Sequence, residues 1–267
     1  MRCRLWFVQR PGCLFARMGI ISRVTFNDTL TFSQSSAVLD APEGLPEAVF
    51  WDMDGTLINS EVYWAAAERH VIELHGGTFS DEVPLRARGQ STPRLLQIVQ
   101  EYIPAHVDPD TLRSEIIGYV IDREREKPCW ATGAVELLDV LSQAGIPNVI
   151  VSASPRAMVD NMARQAPQGA FVGYVCGEDG LPAKPDPAPY LRAAEIVGAD
   201  PANCLVFEDS PVGLQSGGAS GATVVAITGF TPEGVVFDGP QVTNIKDYVG
   251  LSLDDLANFM ELGSLEK

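Results

Sequence analysis

The chain has few of the residues that build zinc sites and disulfide frameworks, with five cysteines and three histidines among 267 residues. The cysteines are odd in number, scattered and without a CxxC pair, which predicts a reducing, cytoplasmic compartment. The histidines, at positions 70, 75 and 106, have no metal-binding arrangement with the cysteines. No segment approaches the roughly 18 to 20 consecutive apolar residues that a membrane helix needs. We therefore expect neither a zinc centre nor a membrane span.

Positive charge is also scarce, because 35 acidic residues stand against 19 lysines and arginines and the formal net charge is −16. Nucleic acids bind to basic surfaces, so this imbalance argues against a nucleic-acid partner. A phosphorylated small molecule would meet the same general repulsion and would have to be attracted by local positive charge. Nothing in the sequence demands an assembly, and we expect a monomer.

The N-terminal stretch 1–45 differs from the rest of the chain in its charge. It holds five arginines before the first acid, Asp28, which superficially resembles a targeting peptide. The apolar stretch from Leu5 to Val8 is too short for a secretory signal, and a proline soon follows it. We expect residues 1–45 to be a flexible extension with Met18 as an alternative start, and a transit peptide is the competing interpretation.

A short apolar run that ends in two carboxylates is the most informative feature of the sequence. Ala48–Trp51 is apolar throughout, which predicts a strand covered on both faces of a parallel sheet, and Asp52 and Asp54 follow it. Ligands of such sheets bind beyond the carboxyl ends of the strands. Residues i and i+2 of an extended chain share a side, so both carboxylates can reach one group before Gly55 turns the backbone. Alone, the pattern is equally compatible with an ordinary Asp-Gly turn.

Three further polar junctions follow later in the sequence. The first is a serine after an apolar run, the second a lysine ahead of a predicted helix, and the third an apolar run that ends in an acidic pair: Val149–Ser152, Lys184–Asp186 and Cys204–Asp209. Each alone is weak, since a serine often caps a helix and an acidic pair often lies in a loop. Their order along the chain makes chemical sense for one shared site.

Together these motifs resemble those of the haloacid dehalogenase superfamily of phosphohydrolases and phosphomutases. The resemblance runs from about Ala48 to Gly229. The motifs of that family are DxDGT, a Ser or Thr after the second strand, a Lys and an acidic pair. Their order and spacing agree with the residues found here: Asp52 and Asp54, Ser152, Lys184, and Glu208 with Asp209.

The resemblance implies a role for each of these residues. Asp52 would be the nucleophile that takes the phosphoryl group, and Asp54 the general acid and then the general base. The phosphate would be bound by Ser152, Ala153 and Lys184. The resemblance also implies Mg²⁺, with these ligands: Asp52, Asp54 through its backbone carbonyl, Asp209, and Glu208 directly or through water.

The charges of these residues independently favour a bound cation. If the four acids converge on one sheet edge, each close pair repels by roughly 4 kcal/mol at about 4 Å and an effective dielectric constant near 20. Lys184 supplies one positive charge. The remainder calls for a hard cation with oxygen ligands, for which Mg²⁺ is the natural candidate.

Strand and helix patterns alternate after the second motif, which predicts a parallel, doubly wound sheet with right-handed crossovers. The predicted strands are Asn148–Ser152, Cys204–Phe207 and Ala222–Ile227. The predicted helices are Ala134–Ala144, Pro155–Arg164, Pro187–Val197, Val212–Ser220 and Ser252–Leu262. We therefore predict an α/β fold, with a Rossmann-like haloacid dehalogenase core formed by residues 46–60 and 131–267.

About a hundred residues separate the first two motifs, and the spacing of their apolar residues is helical. It predicts three helices: Val62–His75, Pro93–Tyr102 and Pro109–Glu124. In the family resemblance this insertion, residues 61–130, is the all-helical C1 cap that closes over the phosphate site, with hinges near 59–61 and 127–133. The acidic stretch 122–126 is predicted to be a solvated helix end.

The loop 86–94 of this insertion is the best candidate for contact with the substrate. It combines a glycine turn with three cations between two predicted helices, and an arginine can bind a carboxylate or phosphate through two hydrogen bonds. The candidate substrate residues are Arg88, Gln90, Thr92 and Arg94. A solvated basic loop is the alternative interpretation.

Three functions remain open from the sequence. The first is a Mg²⁺-dependent phosphatase that hydrolyses a small phosphorylated metabolite, a sugar phosphate or a similar compound, through an aspartyl-phosphate. The second is a phosphomutase, because the sequence also resembles β-phosphoglucomutase. That mutase has a His at the place of Trp64 and an Arg near the place of Thr92, and neither is kept. The third is a phosphate-binding protein without turnover.

Overall fold

A computed structural model of the chain describes residues 44–87, 90, 92–231 and 236–265. The N-terminal segment 1–43 lies outside the described residues, and with it nearly all of the predicted extension 1–45. Arg88, predicted to contact the substrate, also lies outside them.

The described strands form one parallel sheet. Their bounds are β1 Ala48–Trp51, β2 Asn148–Val151, β3 Gly173–Val175, β4 Cys204–Glu208, β5 Thr223–Ile227 and β6 Thr243–Ile245. The order across the sheet is β3-β2-β1-β4-β5-β6, and every neighbouring pair is parallel. The direction of winding changes between β1 and β4, which is where sheets of this type bind ligands beyond the carboxyl ends of the strands. The predicted doubly wound α/β fold is confirmed.

The helices of the described residues fall into two groups along the chain. The bounds are α1 Glu61–Leu74, α2 Glu82–Ala87, α3 Thr92–Glu101, α4 Pro109–Glu126, α5 Ala134–Gln143, α6 Arg156–Gln165, α7 Ala188–Val197, α8 Pro211–Ala219 and α9 Leu253–Leu265. The helices α1 to α4 lie between β1 and β2 in sequence and make up the predicted cap, in which α1 packs mainly against α4. The helices α7, α8 and α9 pack against the sheet. The division into separate core and cap domains stays a prediction.

Both faces of the central strand β1 are buried in apolar side chains. Trp51 packs on one face against Phe207 and Tyr248, with ring centroids 4.8 Å and 5.3 Å away. Phe50 belongs to the hydrophobic cluster on the opposite face, as expected for neighbours in a strand. The indole N–H of Trp51 donates to Asn148 Oδ1 at 2.9 Å, so its polar atom is satisfied inside the core. This two-sided burial explains why the strand is an unbroken apolar run.

Three short elements, α2, β3 and β6, are not predicted by the sequence analysis. The helix α2 has only six residues and includes Pro84, and the strands β3 and β6 have three residues each. Segments of this length contain too few residues to show a hydrophobic period. The predicted loop 86–94 is shorter as a result, because its first two residues belong to α2 and its last three to α3.

Candidate active site

The first acidic motif, the lysine and the second acidic motif meet at the carboxyl edge of the sheet. Asp52 follows β1, and its backbone N–H donates to the carbonyl of Phe207 in β4, with an N to O distance of 3.0 Å. The ammonium of Lys184 donates to Asp52 Oδ1 at 2.8 Å and to Glu208 Oε1 at 2.6 Å. Side chains that are distant along the chain therefore form one cluster.

Three carboxylates of this cluster form a candidate metal site, with one oxygen of each within 4.8 Å of the others: Asp52, Glu208 and Asp209. Burial is the main reason that the pKa of Asp52 is raised to about 7, and the negative charge of Glu208 is the second. Burial, and next the charge of Asp52, raise the pKa of Asp209 well above its ordinary value. Lys184 alone therefore leaves the carboxylates under mutual repulsion. An all-carboxylate set of this kind fits a hard divalent cation such as Mg²⁺.

Glu208 has protein donors on both of its carboxylate oxygens. Oε1 accepts from Lys184 and, at 2.9 Å, from the hydroxyl of Tyr190. Oε2 accepts from the N–H of Asp209 at 3.0 Å and from the N–H and hydroxyl of Ser210 at 3.2 and 3.1 Å. The residue is fully buried. These bonds favour the predicted contact with a metal through water over direct coordination.

Asp54 is held by three hydroxyl groups. Its Oδ1 accepts from Ser60 at 2.6 Å, and its Oδ2 accepts from Ser154 at 2.6 Å and from Ser152 at 3.4 Å. Ser60 directly precedes α1 of the cap, whereas the other two serines follow β2 of the core. The sequence motifs include neither Ser60 nor Ser154, because an isolated serine carries no distinctive pattern.

Two of the three predicted phosphate-binding residues, Ser152 and Ala153, lie in the loop after β2. Ser152 is buried, and its hydroxyl accepts the N–H of Ser154 at 2.9 Å. Ala153 between them is exposed. A Cβ at Gly177 would lie 2.2 Å from the Ala153 carbonyl oxygen, so the neighbouring loop can approach only because it has glycine there. The loop therefore has a fixed path that leads past Asp54.

The glycine of the first motif permits a close approach as well as a turn. Gly55 has a φ of +90°, and a Cβ there would lie 2.1 Å from Asp209 Oδ2. The hydroxyl of the next residue, Thr56, donates to Asp209 Oδ1 at 3.4 Å. Any side chain at position 55 would occupy the space of the second acidic motif, so the structure favours the site interpretation over an ordinary Asp-Gly turn.

The candidate substrate residues of the cap do not join this cluster in the part of the chain that the structure describes. Gln90 and Arg94 are exposed and Thr92 is half-buried. The guanidinium of Arg94 donates to Gln97 Oε1 in the same helix at 3.1 Å. Contact of these residues with a substrate therefore stays a prediction.

The two chain segments that connect cap and core run side by side. The N–H of Asn59 donates to the carbonyl of Cys129, and the N–H of Ala131 donates to the carbonyl of Leu57, both at 2.8 Å. These bonds lie at the two predicted hinges, near 59–61 and 127–133. Hinge motion itself stays a prediction.

Helix α4 also contacts the core through polar side chains, and we call this contact the α4 seam, formed by Arg113, Glu124, Arg125, Asn161 and Glu178. Arg113 donates to Glu178 Oε1 at 3.2 Å, and Arg125 donates to Asn161 Oδ1 at 3.3 Å. The amide of Asn161 donates to Glu124 Oε2 at 3.0 Å. The seam thus joins α4 both to α6 and to the loop after β3.

Glu124 contradicts the prediction that residues 122–126 are a solvated helix end. Its side chain is fully buried, and among the described residues Oε1 has no hydrogen-bond partner. The pKa of Glu124 is raised to about 7, mainly by burial and secondly by the negative charge of Asp54. The hydrogen bond from Asn161 acts in the opposite direction. The sequence shows only an alternation of acids and arginines there, which gives no sign that one acid turns inward.

Comparison with known proteins agrees with this geometry. The family of haloacid dehalogenase-like hydrolases matches residues 46–221. Hexitol phosphatase A of Escherichia coli K12 is 31% identical over 183 residues, or 66% of this chain and 81% of the relative. Validoxylamine A 7'-phosphate phosphatase of Streptomyces hygroscopicus subsp. limoneus is 26% identical over 183 residues, which are 68% of this chain and 85% of the relative. CbbY from Rhodobacter sphaeroides in complex with phosphate superposes with a TM-score of 0.68 at 20% identity, over 78% of this chain and 96% of that chain.

The chain therefore belongs to the haloacid dehalogenase-like hydrolases. Within that family it is a phosphoric monoester hydrolase of small phosphorylated substrates. The family resemblance and the prediction of an enzyme are both confirmed. Along the described residues, the structure contains no helix with the length and apolar character needed to cross a membrane.

Proposed function

We propose that the protein is a Mg²⁺-dependent phosphatase that hydrolyses a sugar phosphate or a similar small ester through a phosphoryl group carried on Asp52. The observation that carries the proposal is the ammonium of Lys184 between Asp52 and Glu208, with Nζ to oxygen distances of 2.8 and 2.6 Å. This arrangement fixes a carboxylate nucleophile beside a positive charge at the edge of the sheet. Phosphoryl transfer requires mainly such alignment and charge neutralisation.

In the first step a carboxylate oxygen of Asp52 forms a bond to phosphorus, and the bond from phosphorus to the ester oxygen breaks. Asp54 gives its proton to the departing oxygen, which leaves as an alcohol. Ser152 and the backbone N–H of Ala153 bind the phosphoryl oxygens, and Lys184 balances their charge. The hydroxyl groups of Ser154 and Ser60 orient Asp54.

In the second step the ionised carboxylate of Asp54 takes a proton from water. The water oxygen attacks phosphorus, the bond to Asp52 breaks, and inorganic phosphate leaves. Asp54 is then protonated and ready to serve the next substrate. Both steps use the same two aspartates, which accounts for their separation by one residue at the end of β1.

The residues that would hold Mg²⁺ are Asp52, Asp209, the backbone carbonyl of Asp54 and, through water, Glu208. When bound, the ion supplies positive charge that offsets the negative charge of the transferring group. The carboxylates prepare that site by crowding three negative side chains around a single lysine. The requirement for the metal is part of the proposal.

The substrate is proposed to be a phosphate ester of a sugar, a sugar alcohol or a similar compound. Two relatives named for phosphatase activity on a hexitol and on validoxylamine A 7'-phosphate support this class. A β-phosphoglucomutase-like activity is less well supported, because Trp64 and Thr92 stand where that mutase has a His and an Arg. A binding protein without turnover would have no use for the complete set of acids.

The test is phosphate release from a panel of hexitol phosphates, sugar phosphates, phosphoglycolate and p-nitrophenyl phosphate, with Mg²⁺ or with EDTA. We expect Mg²⁺-dependent release from at least one hydroxylated ester. Conversion of β-glucose 1-phosphate to the 6-phosphate without net release would instead show a mutase. Tight binding of the esters without any product would overturn both enzymatic proposals.

A further inference from the structure

Tyr190 lies under the catalytic cluster, although none of the sequence motifs includes it. It belongs to α7, six residues after Lys184, and its side chain is fully buried. The hydroxyl donates to Glu208 Oε1 at 2.9 Å, the same oxygen that receives the Lys184 ammonium at 2.6 Å. Burial, and next the charge of Glu208, raise the pKa of Tyr190 well above its ordinary value. The hydroxyl therefore keeps its proton and remains a donor.

The ring of Tyr190 also contacts the lysine. The Lys184 Nζ lies 5.1 Å from the centre of the ring, within the range of a cation–π interaction. Its three hydrogen bonds go to Asp52 Oδ1, Glu208 Oε1 and, at 3.0 Å, to the carbonyl of Val151. An ammonium has three donors, so the direction of each is set by the groups around it.

We propose that Tyr190 is a positioning residue that keeps Lys184 directed at Asp52. The hydroxyl fixes the acceptor oxygen of Glu208, and the ring lies close enough to the ammonium for a cation–π interaction. The inference rests on the proposed function, because it assigns Tyr190 a part in placing the charge that this reaction needs. It goes beyond that function because Tyr190 would not contact the phosphate. Its hydroxyl bonds to one of the proposed metal ligands, Glu208.

A purely structural role for Tyr190 is the competing explanation, because its ring packs in the hydrophobic cluster with Ala193, Ala194 and Val206. A phenylalanine would fill the same space without the hydroxyl. Tyr248 offers a matched control, since it is also fully buried and its hydroxyl donates to an uncharged acceptor, the Thr56 carbonyl, at 3.2 Å. Tyr190→Phe and Tyr248→Phe thus each delete one buried hydroxyl.

With p-nitrophenyl phosphate and Mg²⁺, we expect Tyr190→Phe to lower kcat about tenfold while KM changes less than about twofold, because a displaced charge affects the transition state most. The two variants should lower the melting temperature by similar amounts, because each loses one buried hydroxyl. Tyr248→Phe should nevertheless keep kcat within about twofold of the wild type. Equal kcat losses in the two variants, or no loss in Tyr190→Phe, would overturn the proposal.

The route through Glu208 is tested by a double-mutant cycle, because coupled residues show non-additive effects. Tyr190→Phe should have little further effect on kcat in a Glu208→Gln background, in which the charged acceptor is already gone. Independent, multiplicative losses in the double variant would show that Tyr190 acts in another way.

A readout without turnover separates this inference from the proposed function. If the wild type releases no phosphate from any ester, the proposed function fails, but ¹⁵N NMR can still observe the ammonium of Lys184, assigned with Lys184→Arg. We expect its protons to exchange slowly in the wild type and in Tyr248→Phe, and at least about tenfold faster in Tyr190→Phe. Unchanged exchange in Tyr190→Phe would overturn the positioning role whatever the activity.

Discussion

The cluster formed by Asp52, Lys184, Glu208 and Asp209 and the α4 seam each contain a fully buried glutamate, but the two carboxylates have very different surroundings. Glu208 in the cluster accepts five hydrogen bonds, one of them from the ammonium of Lys184. Glu124 in the seam accepts one, from Asn161, and its Oε1 has no partner in the part of the chain that the structure describes. Burial of a carboxylate is tolerated when donors replace the lost water. Only Glu208 meets that condition.

The difference separates a glutamate that is held in place by several donors from one that takes up a proton near neutral pH. The donors hold Glu208 in place, and its carboxylate can therefore hold the ammonium of Lys184 in place. Glu124 has a pKa raised to about 7 by burial and next by Asp54, so it gains or loses a proton near neutral pH. We therefore expect substitutions in the cluster to lower the rate of phosphate release strongly. Substitutions in the seam should instead change how stability and activity depend on pH and salt.

The largest effect is expected from Asp52→Asn in the cluster. An amide is a poor nucleophile, so kcat should fall by at least about a thousandfold. The melting temperature should stay equal or rise, because the change removes one of three crowded carboxylates, two of which are buried. Phosphate release and thermal unfolding are measured on the same sample. Activity above about a tenth of the wild type would contradict the nucleophile assignment.

A large effect is also expected from Gly213→Ala, which tests whether the packing around Glu208 matters. A Cβ at position 213 would lie 1.8 Å from Glu208 Oε1, so the carboxylate must leave the position in which it accepts from Lys184. We expect kcat/KM to fall about a hundredfold, since small displacements in an active site have effects of that size. The measurement is steady-state kinetics with unfolding by urea.

Gly118→Ala in α4 is the matched control, because a Cβ there meets nothing within 4 Å. It should leave kcat unchanged and stabilise the protein by about 0.5 to 1 kcal/mol through helix propensity. A comparable loss of activity in both variants would show that the cluster is no more sensitive to packing than the cap.

The cluster could be predicted from sequence, whereas the seam could not. Asp52, Ser152 and Asp209 each follow an apolar strand, and parallel strands bring their carboxyl ends to one edge. Their convergence was therefore implied by order alone. Lys184 does not directly follow any of the described strands; a lysine ahead of a predicted helix is a weak signal by itself, and its role comes from the family resemblance.

The position of Glu124 depends on how α4 is rotated against α6, and that rotation is set by packing rather than by local pattern. Between Asp122 and Glu126 acids and arginines alternate, so a hydrophobic period cannot show which residue faces inward. The contact of Tyr190 with Glu208 could not be predicted for a similar reason. An aromatic residue on an amphipathic helix predicts core packing, and the pattern does not show what its hydroxyl contacts.

A pH-dependent effect is expected from Glu124→Gln in the seam. In the wild type the pKa rises on folding from an ordinary 4.5 to about 7, so the folded state holds the proton more tightly. Ionised Glu124 thus destabilises the fold fully above about pH 7 and not below about pH 4.5. At pH 8 the variant should be more stable by at most about 3 kcal/mol, and this advantage should fade as the pH falls from 7 to 4.5.

Urea unfolding at several pH values checks this expectation. Glu68→Gln is the control, because Glu68 is a buried acid of α1 whose pKa is also raised to about 7, by burial and next by Glu61. Both variants should show the pH-dependent gain in stability, but only Glu124→Gln should change the pH dependence of kcat/KM, since only Glu124 belongs to the α4 seam. A pH-independent gain for Glu124→Gln would mean that the pKa of Glu124 does not change on folding, and would contradict this expectation.

The smallest effect is expected from Arg113→Ala, which removes the ion pair with Glu178 at the other end of the seam. Both side chains are nearly half exposed, at 44% and 47%, and pairs of this kind contribute only about 0.2 to 1 kcal/mol. If the pair helps to hold the cap against the core, KM should rise about twofold at low salt, and the difference from the wild type should vanish near 1 M salt because of screening. Arg192→Ala breaks a similarly exposed pair within α7 and should leave KM unchanged at every salt concentration. A salt-independent rise in KM for Arg113→Ala would assign the arginine to substrate binding instead of the seam.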